Sequence, residues 1–151
     1  MKQLLSILIF FSFVSVASAQ QSFTPLNIYI KGKSMEDLGV FIYTTQRCSA
    51  VYASIAKLLD ESQFKEQSEK SLDDAIKFSA FSSLALSQRK NISSELAEKE
   101  TIEIVLSMNK LYTTDMNENN IKTGSYFEGT YVTDDVSICT QLLSALYQQD
   151  S

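Results

Sequence analysis

Cys48 and Cys139 are the two cysteines of a 151-residue chain that contains no histidine. A cysteine can act as a nucleophile, hold a metal, pair with its fellow or pack in a core. The missing imidazole removes most of the first two uses. Cys-His and Ser-His-Asp catalysis both need a histidine base. Imidazole zinc sites, Glu-x-x-His di-iron motifs and His-ligated haem go the same way. No CxxC pair is present to attach a haem covalently. No catalytic residue, metal ligand or cofactor is expected, and the open choice is one Cys48–Cys139 bond or two buried thiols.

Carboxylates are the remaining chemistry-bearing groups. Asp60-Glu61, Asp73-Asp74 and the series Glu95, Glu98, Glu100 and Glu103 could serve acid–base chemistry. That series is spread round a helix with Lys99 among it, the pattern of a solvated face. Asp115-Met116-Asn117-Glu118-Asn119 begins like a calcium loop, with Asn120 in the turning position. Tyr126 then stands where the bidentate glutamate belongs and Glu128 comes two residues late, so a polar connection is expected instead. Asn91-Ile92-Ser93 is a glycosylation sequon or, more plainly, a helix cap.

Aromatic residues gather at Phe23, Tyr29, Phe41 and Tyr43, and again at Tyr126, Phe127 and Tyr131. The second group falls in an expected long loop. Tyr126, Phe127 and Tyr131 are therefore the candidate partner-contact residues, against the alternative of a flap packed on the end of a bundle.

The elements that must position these groups read as helices. The chain has four glycines and one proline, too few for tight-turned β architectures. From a cap at Ser34, Leu38, Phe41, Cys48, Tyr52, Ile55 and Leu59 follow a helical stripe. GVFIY (39–43) also admits a strand. Residues 68–88 place Leu72, Ala75, Ile76, Ala80 and Leu84 on one stripe, expected to face inward, with Phe78, Phe81 and Ala85 beside it. Residues 94–112 place Ala97, Thr101, Ile104, Val105, Met108 and Leu111 inward. Residues 113–133 read as the long connection, mobile in its first half. Thr133 or Asp134 then caps a last helix with Val136, Cys139, Leu143 and Leu146 inward. Whether 68–112 is two helices or one bent helix is open. LNIYI (26–30) alternates like a short strand.

The N-terminus reads as an export leader over residues 1–19: Lys2, an apolar run from Leu4 to Val16, then Ala17-Ser18-Ala19. An uncleaved anchor is the alternative. Cleavage removes 19 of 151 residues and leaves 132, with 12 basic against 18 acidic side chains, a net charge of −6. No nucleic-acid partner and no stable membrane insertion of the mature chain are expected from that balance. Export makes a disulfide the expected state of Cys48 and Cys139, each on the inward stripe of its own helix.

The sequence thus predicts an all-α fold: a small bundle of about four helices over 34–151, one interhelix disulfide, and an extended arm over 20–33. The function expected is non-enzymatic binding of a protein partner by a periplasmic or extracellular domain. A carrier or holdase-type chaperone for hydrophobic ligands or chains is the alternative, and a carboxylate-based hydrolase a weaker one.

Overall fold

The computed structural model describes residues 23–60 and 63–148. The leader expected over 1–19 lies outside them. Five helices follow one another: α1 (Leu26–Tyr29), α2 (Leu38–Asp60), α3 (Lys65–Lys90), α4 (Ser94–Thr123) and α5 (Tyr131–Gln148). The four long ones form the expected helical bundle, and Cys48 and Cys139 join α2 to α5 with their Cα atoms 5.4 Å apart.

The central helix is α2. Every residue from 44 to 51 is buried, so its middle is enclosed on all sides. The run is TTQRCSAV, mostly short or polar, and the short side chains let neighbouring helices come close. Two of its three hydroxyls find carbonyls: Ser49 Oγ donates to Ala75 O at 2.8 Å, and Thr45 Oγ1 to Phe41 O at 2.8 Å. Ser68 Oγ on α3 donates to Ala56 O of α2 at 2.7 Å. The pairs 49–75 and 56–68 show that α3 runs antiparallel to α2. Asn109 Nδ2 of α4 donates to Ser54 Oγ at 2.7 Å.

Helix ends are set locally, and two were placed differently by the sequence pattern. The cap of α2 is Asp37, not Ser34: Asp37 Oδ1 accepts from Gly39 N at 2.7 Å and Val40 N at 3.2 Å. Ser34 Oγ only accepts from Glu36 N, at 3.1 Å. GVFIY is helical within α2. α3 and α4 are two helices, separated where Asn91 takes the left-handed conformation at φ 53° and Ser93 Oγ accepts from Leu96 N at 3.2 Å. The second cap is therefore Ser93, one of the two roles expected of the sequon. Thr130 Oγ1 accepts from Val132 N at 3.3 Å at the start of α5, ahead of the expected Thr133 or Asp134.

Three further expectations are corrected. Residues 113–123 are not a loop: α4 continues through them to Gly124, whose φ of 78° ends it. No glycine or proline precedes that point in α4, and Tyr112 and Met116 are buried and hold the extra turns to the core. The Asp115–Asn120 run is therefore helical and cannot wrap a cation as a calcium loop does. The connection is only residues 124–130.

LNIYI is not extended. Pro25 O accepts from Ile28 N and Tyr29 N, closing one helical turn in the described part of the arm. Leu26 is fully buried there, and no strand is available among the described residues for the alternation to pair with.

Finally, α3 is turned from the expected stripe, of which only Ala75 is buried. Ser68, Ala75, Phe78, Ser82, Ala85 and Leu86 are buried, while Leu72 is half exposed and Ile76 and Leu84 are each 60 % exposed. The row of small residues fits α2 closely, and the larger aliphatic row is left outside. Ile104 of α4, also expected inside, is exposed.

Candidate functional site

Two constellations stand out, one sealed in the core and one on the surface. The first is built round Arg47, which follows Gln46 and precedes Cys48 on the enclosed stretch of α2. Its side chain and that of Asp135 on α5 are both fully buried, and Arg47 Nη2 pairs with Asp135 Oδ2. Arg47 Nε donates to Tyr112 Oη of α4 at 2.9 Å, and Nη1 donates to Thr24 O at 2.6 Å. Tyr112 Oη donates in turn to Asp135 Oδ2. Leu26 N donates to Asp135 Oδ1 at 2.6 Å. The ring of Phe23 lies 4.2 Å from the guanidinium carbon, a close cation–π contact.

The local reason is geometric. Asp135 lies one turn before Cys139 on α5, and Arg47 is adjacent to Cys48 on α2, so the disulfide brings the ions together. The charges cancel, and hydrogen bonds fill the positions water would otherwise take. Burial alone lowers the basicity of Arg47, but the Asp135 carboxylate and the hydrogen bonds to Tyr43 and Tyr112 outweigh it and hold the guanidinium protonated. Burial pushes the Asp135 carboxyl up against the pull of Arg47, Tyr112 and the Leu26 N–H. Burial, reinforced by Asp135, pushes the Tyr112 phenol up.

Chemically this cluster is a clasp. Asp135 spends its oxygens on three donors, and a fully buried carboxylate reaches no substrate atom. The clasp ties the arm (Phe23, Thr24 and Leu26) to α2, α4 and α5. Sequence reasoning passed over both ions. The available signal was position: each charge sits beside or one turn from a cysteine on an inward stripe.

The candidate contact residues divide. Tyr131 is half-buried, donates to Asp115 Oδ2 and packs on Phe23, so it belongs to the clasp's outer wall. Tyr126 packs against the core, and Phe127, beside it, is exposed. The expected patch therefore comes to the surface mainly at Phe127.

The carboxylates stay dispersed. Lys77 bridges Asp73 and Asp74, and Lys90 bridges Glu100. Glu98 stands in none of these pairs. Among the described residues no three His, Cys, Asp or Glu side chains gather closely enough to hold a metal ion.

The second constellation is the outer face of α3 and α4. Ile76, Ala80 and Leu84 of α3 and Ile102 of α4 line an open groove of about 510 Å³, with Ser79, Ser83, Ser94 and Glu98. Leu72 extends the apolar row one turn beyond Ile76, and exposed Leu106 extends it one turn beyond Ile102. The spacing that predicted a core stripe was real, and the structure leaves Leu72, Ile76, Ala80 and Leu84 of it facing outward. A second groove, between α3 and α5, contains Tyr52, Lys77 and Tyr147. Its Lys77 is held by Asp73 and Asp74, and Lys70 also lines it.

Comparison with protein-family models, with curated proteins and with solved structures finds no match to this chain.

Proposed function

We propose that this chain is an exported, non-enzymatic binding domain that meets a protein partner through the outer face of α3 and α4. One observation carries the reading: Ile76 and Leu84 are each 60 % exposed on a helix whose other face packs on the central α2, and they flank a groove with Ile102. Contiguous exposed aliphatic rows of this kind mark contact surfaces. Export is supported by the leader-like first 19 residues and by a disulfide, which persists in oxidising compartments.

The interior speaks for surface binding over an internal ligand. Thr44, Thr45, Gln46 and Arg47 fill the middle of the bundle where a carrier would keep an apolar chamber. Catalysis by carboxylates has less support, because Asp135 is sealed and spent and the surface acids are paired or scattered.

Comparative capture tests the reading. Purified protein and an Ile76→Ser/Leu84→Ser variant are immobilised and exposed to extract of the producing cell. The expected result is at least one protein retained by the parent and lost by the variant, with both baits showing the same thermal melt. Identical retained sets would overturn it.

A further inference from the structure

The charge inside the apolar groove says what should sit there. Glu98 is the one charged residue among the eight that line it. It has no ion pair or hydrogen bond among the described residues, whereas nearby Glu100 is held by Lys90. Any apolar surface seated over the groove would strip water from the Glu98 carboxylate, and an unpaired buried charge is costly. A partner that supplies a cation at that point removes the penalty. The chain as a whole is acidic, net −5, and attracts basic partners at long range.

The shape specifies the rest. Both walls are helices whose backbone groups are already paired, so the groove offers no edge for an added strand. Helices take other helices by packing ridges into grooves. Ser79, Ala80, Ser83 and Ser94 are short and let a third helix approach. Ile76 and Leu84 stand eight positions apart on α3, about 12 Å, or roughly two turns of a seated helix. A second copy fits poorly. A two-fold interface is isologous, so each Glu98 would enter the shared apolar seam without a basic lining residue to meet it, between two acidic chains.

Resting on the protein-binding reading above, we propose that the α3–α4 groove takes an amphipathic helical segment of a basic protein. Its aliphatic row packs on Ile76, Ala80, Leu84 and Ile102, and a lysine or arginine pairs with Glu98.

Two synthetic 18-residue helical peptides test this. Both carry leucines at i, i+4, i+7 and i+11; one has lysines flanking that row and the other glutamates. Fluorescence anisotropy against the disulfide-bonded protein at about 0.15 M salt gives the affinities, and amide shift changes locate the site. The lysine peptide is expected to saturate, shift resonances round Ile76, Leu84 and Ile102, and bind at least about tenfold tighter than the glutamate peptide. Glu98→Gln should cut that preference to under about threefold, since one charge pair is lost. Leu84→Ser should weaken both peptides. Both side chains concerned are exposed, and an unchanged melt checks the fold. No saturable binding of the lysine peptide, equal binding of both peptides, or a preference that survives Glu98→Gln would each overturn the proposal. So would a dimer in light scattering that Leu84→Ser dissociates. Failure here with partner capture intact sinks the basic-helix inference alone; identical captured sets sink the reading beneath it.

Discussion

At the scale of single residues, stability concentrates in the Arg47–Asp135 clasp. Asp135→Ala would leave a guanidinium buried without its counter-ion, with Tyr112 and Leu26 N short of an acceptor. The expected loss is about 3–5 kcal/mol in a denaturant melt. Replacing both ions, as Arg47→Met with Asp135→Leu, should cost less than Asp135→Ala alone. A single loss of under about 1 kcal/mol would show the ions solvated and the clasp misplaced. The phenols give a pH signature. Burial with Asp135 raises Tyr112, and burial with the Asp115 hydrogen bond raises Tyr131, both far above the ordinary value near 10. The folded state thus keeps two protons that the unfolded chain releases. This contribution is fully present below about pH 10 and is lost as pH climbs above it. In a 295 nm titration, at least two of the seven tyrosines should stay un-ionised in the native protein at about pH 11.5 and titrate together on alkaline unfolding. Seven ordinary phenols in the native state would contradict the assignment. Apart from the position of each charge near a cysteine, nothing marked the clasp, because TTQRCS reads as polar and polar reads as solvated. A long-range ion pair leaves no periodic trace.

At the scale of elements, periodicity located the long helices well and one of their faces badly. Gly124 and Asn91 stop α4 and α3 for local reasons that a sequence carries. The inward face of α3 depends on what α2 needs opposite it, and α2 presents Ser49, Ala53 and Ala56 there, so small residues won the contact. The same logic extended α4: nothing in 113–123 breaks a helix, and Tyr112 and Met116 had a core to reach. The polar letters of that run misled because polarity was weighed over the absence of a breaker. The two faces of α3 should answer mutation oppositely. Ile76→Ser and Leu84→Ser should each change stability by under about 0.5 kcal/mol. Ser82→Leu and Ala75→Leu, pushed into the contact with α2, should each cost about 1–3 kcal/mol. Equal effects in a chemical melt would mean that α3 is turned the other way.

At the scale of the molecule, one covalent bond and one ion pair fasten α5 and the arm to the α2–α4 body, and the larger aliphatic row of α3 is left to the solvent. The disulfide was the most legible long-range contact, since each cysteine sat on an inward stripe and the two had only each other to pair with. It closes a separation of 91 residues. Reduction should lower the unfolding free energy by about 2–5 kcal/mol, and the Cys48→Ala and Cys139→Ala changes should not add. Additive losses would indicate two separate packing effects. The central claim is that the α3–α4 face is a docking surface in the living cell. The most direct test is a photo-crosslinking amino acid placed at position 84, with exposed position 36 as the control, irradiated in the producing cells. The account predicts a discrete adduct from position 84 whose mass exceeds this chain by that of a different protein, with none from position 36. No adduct from position 84, or the same adduct from both positions, would contradict it.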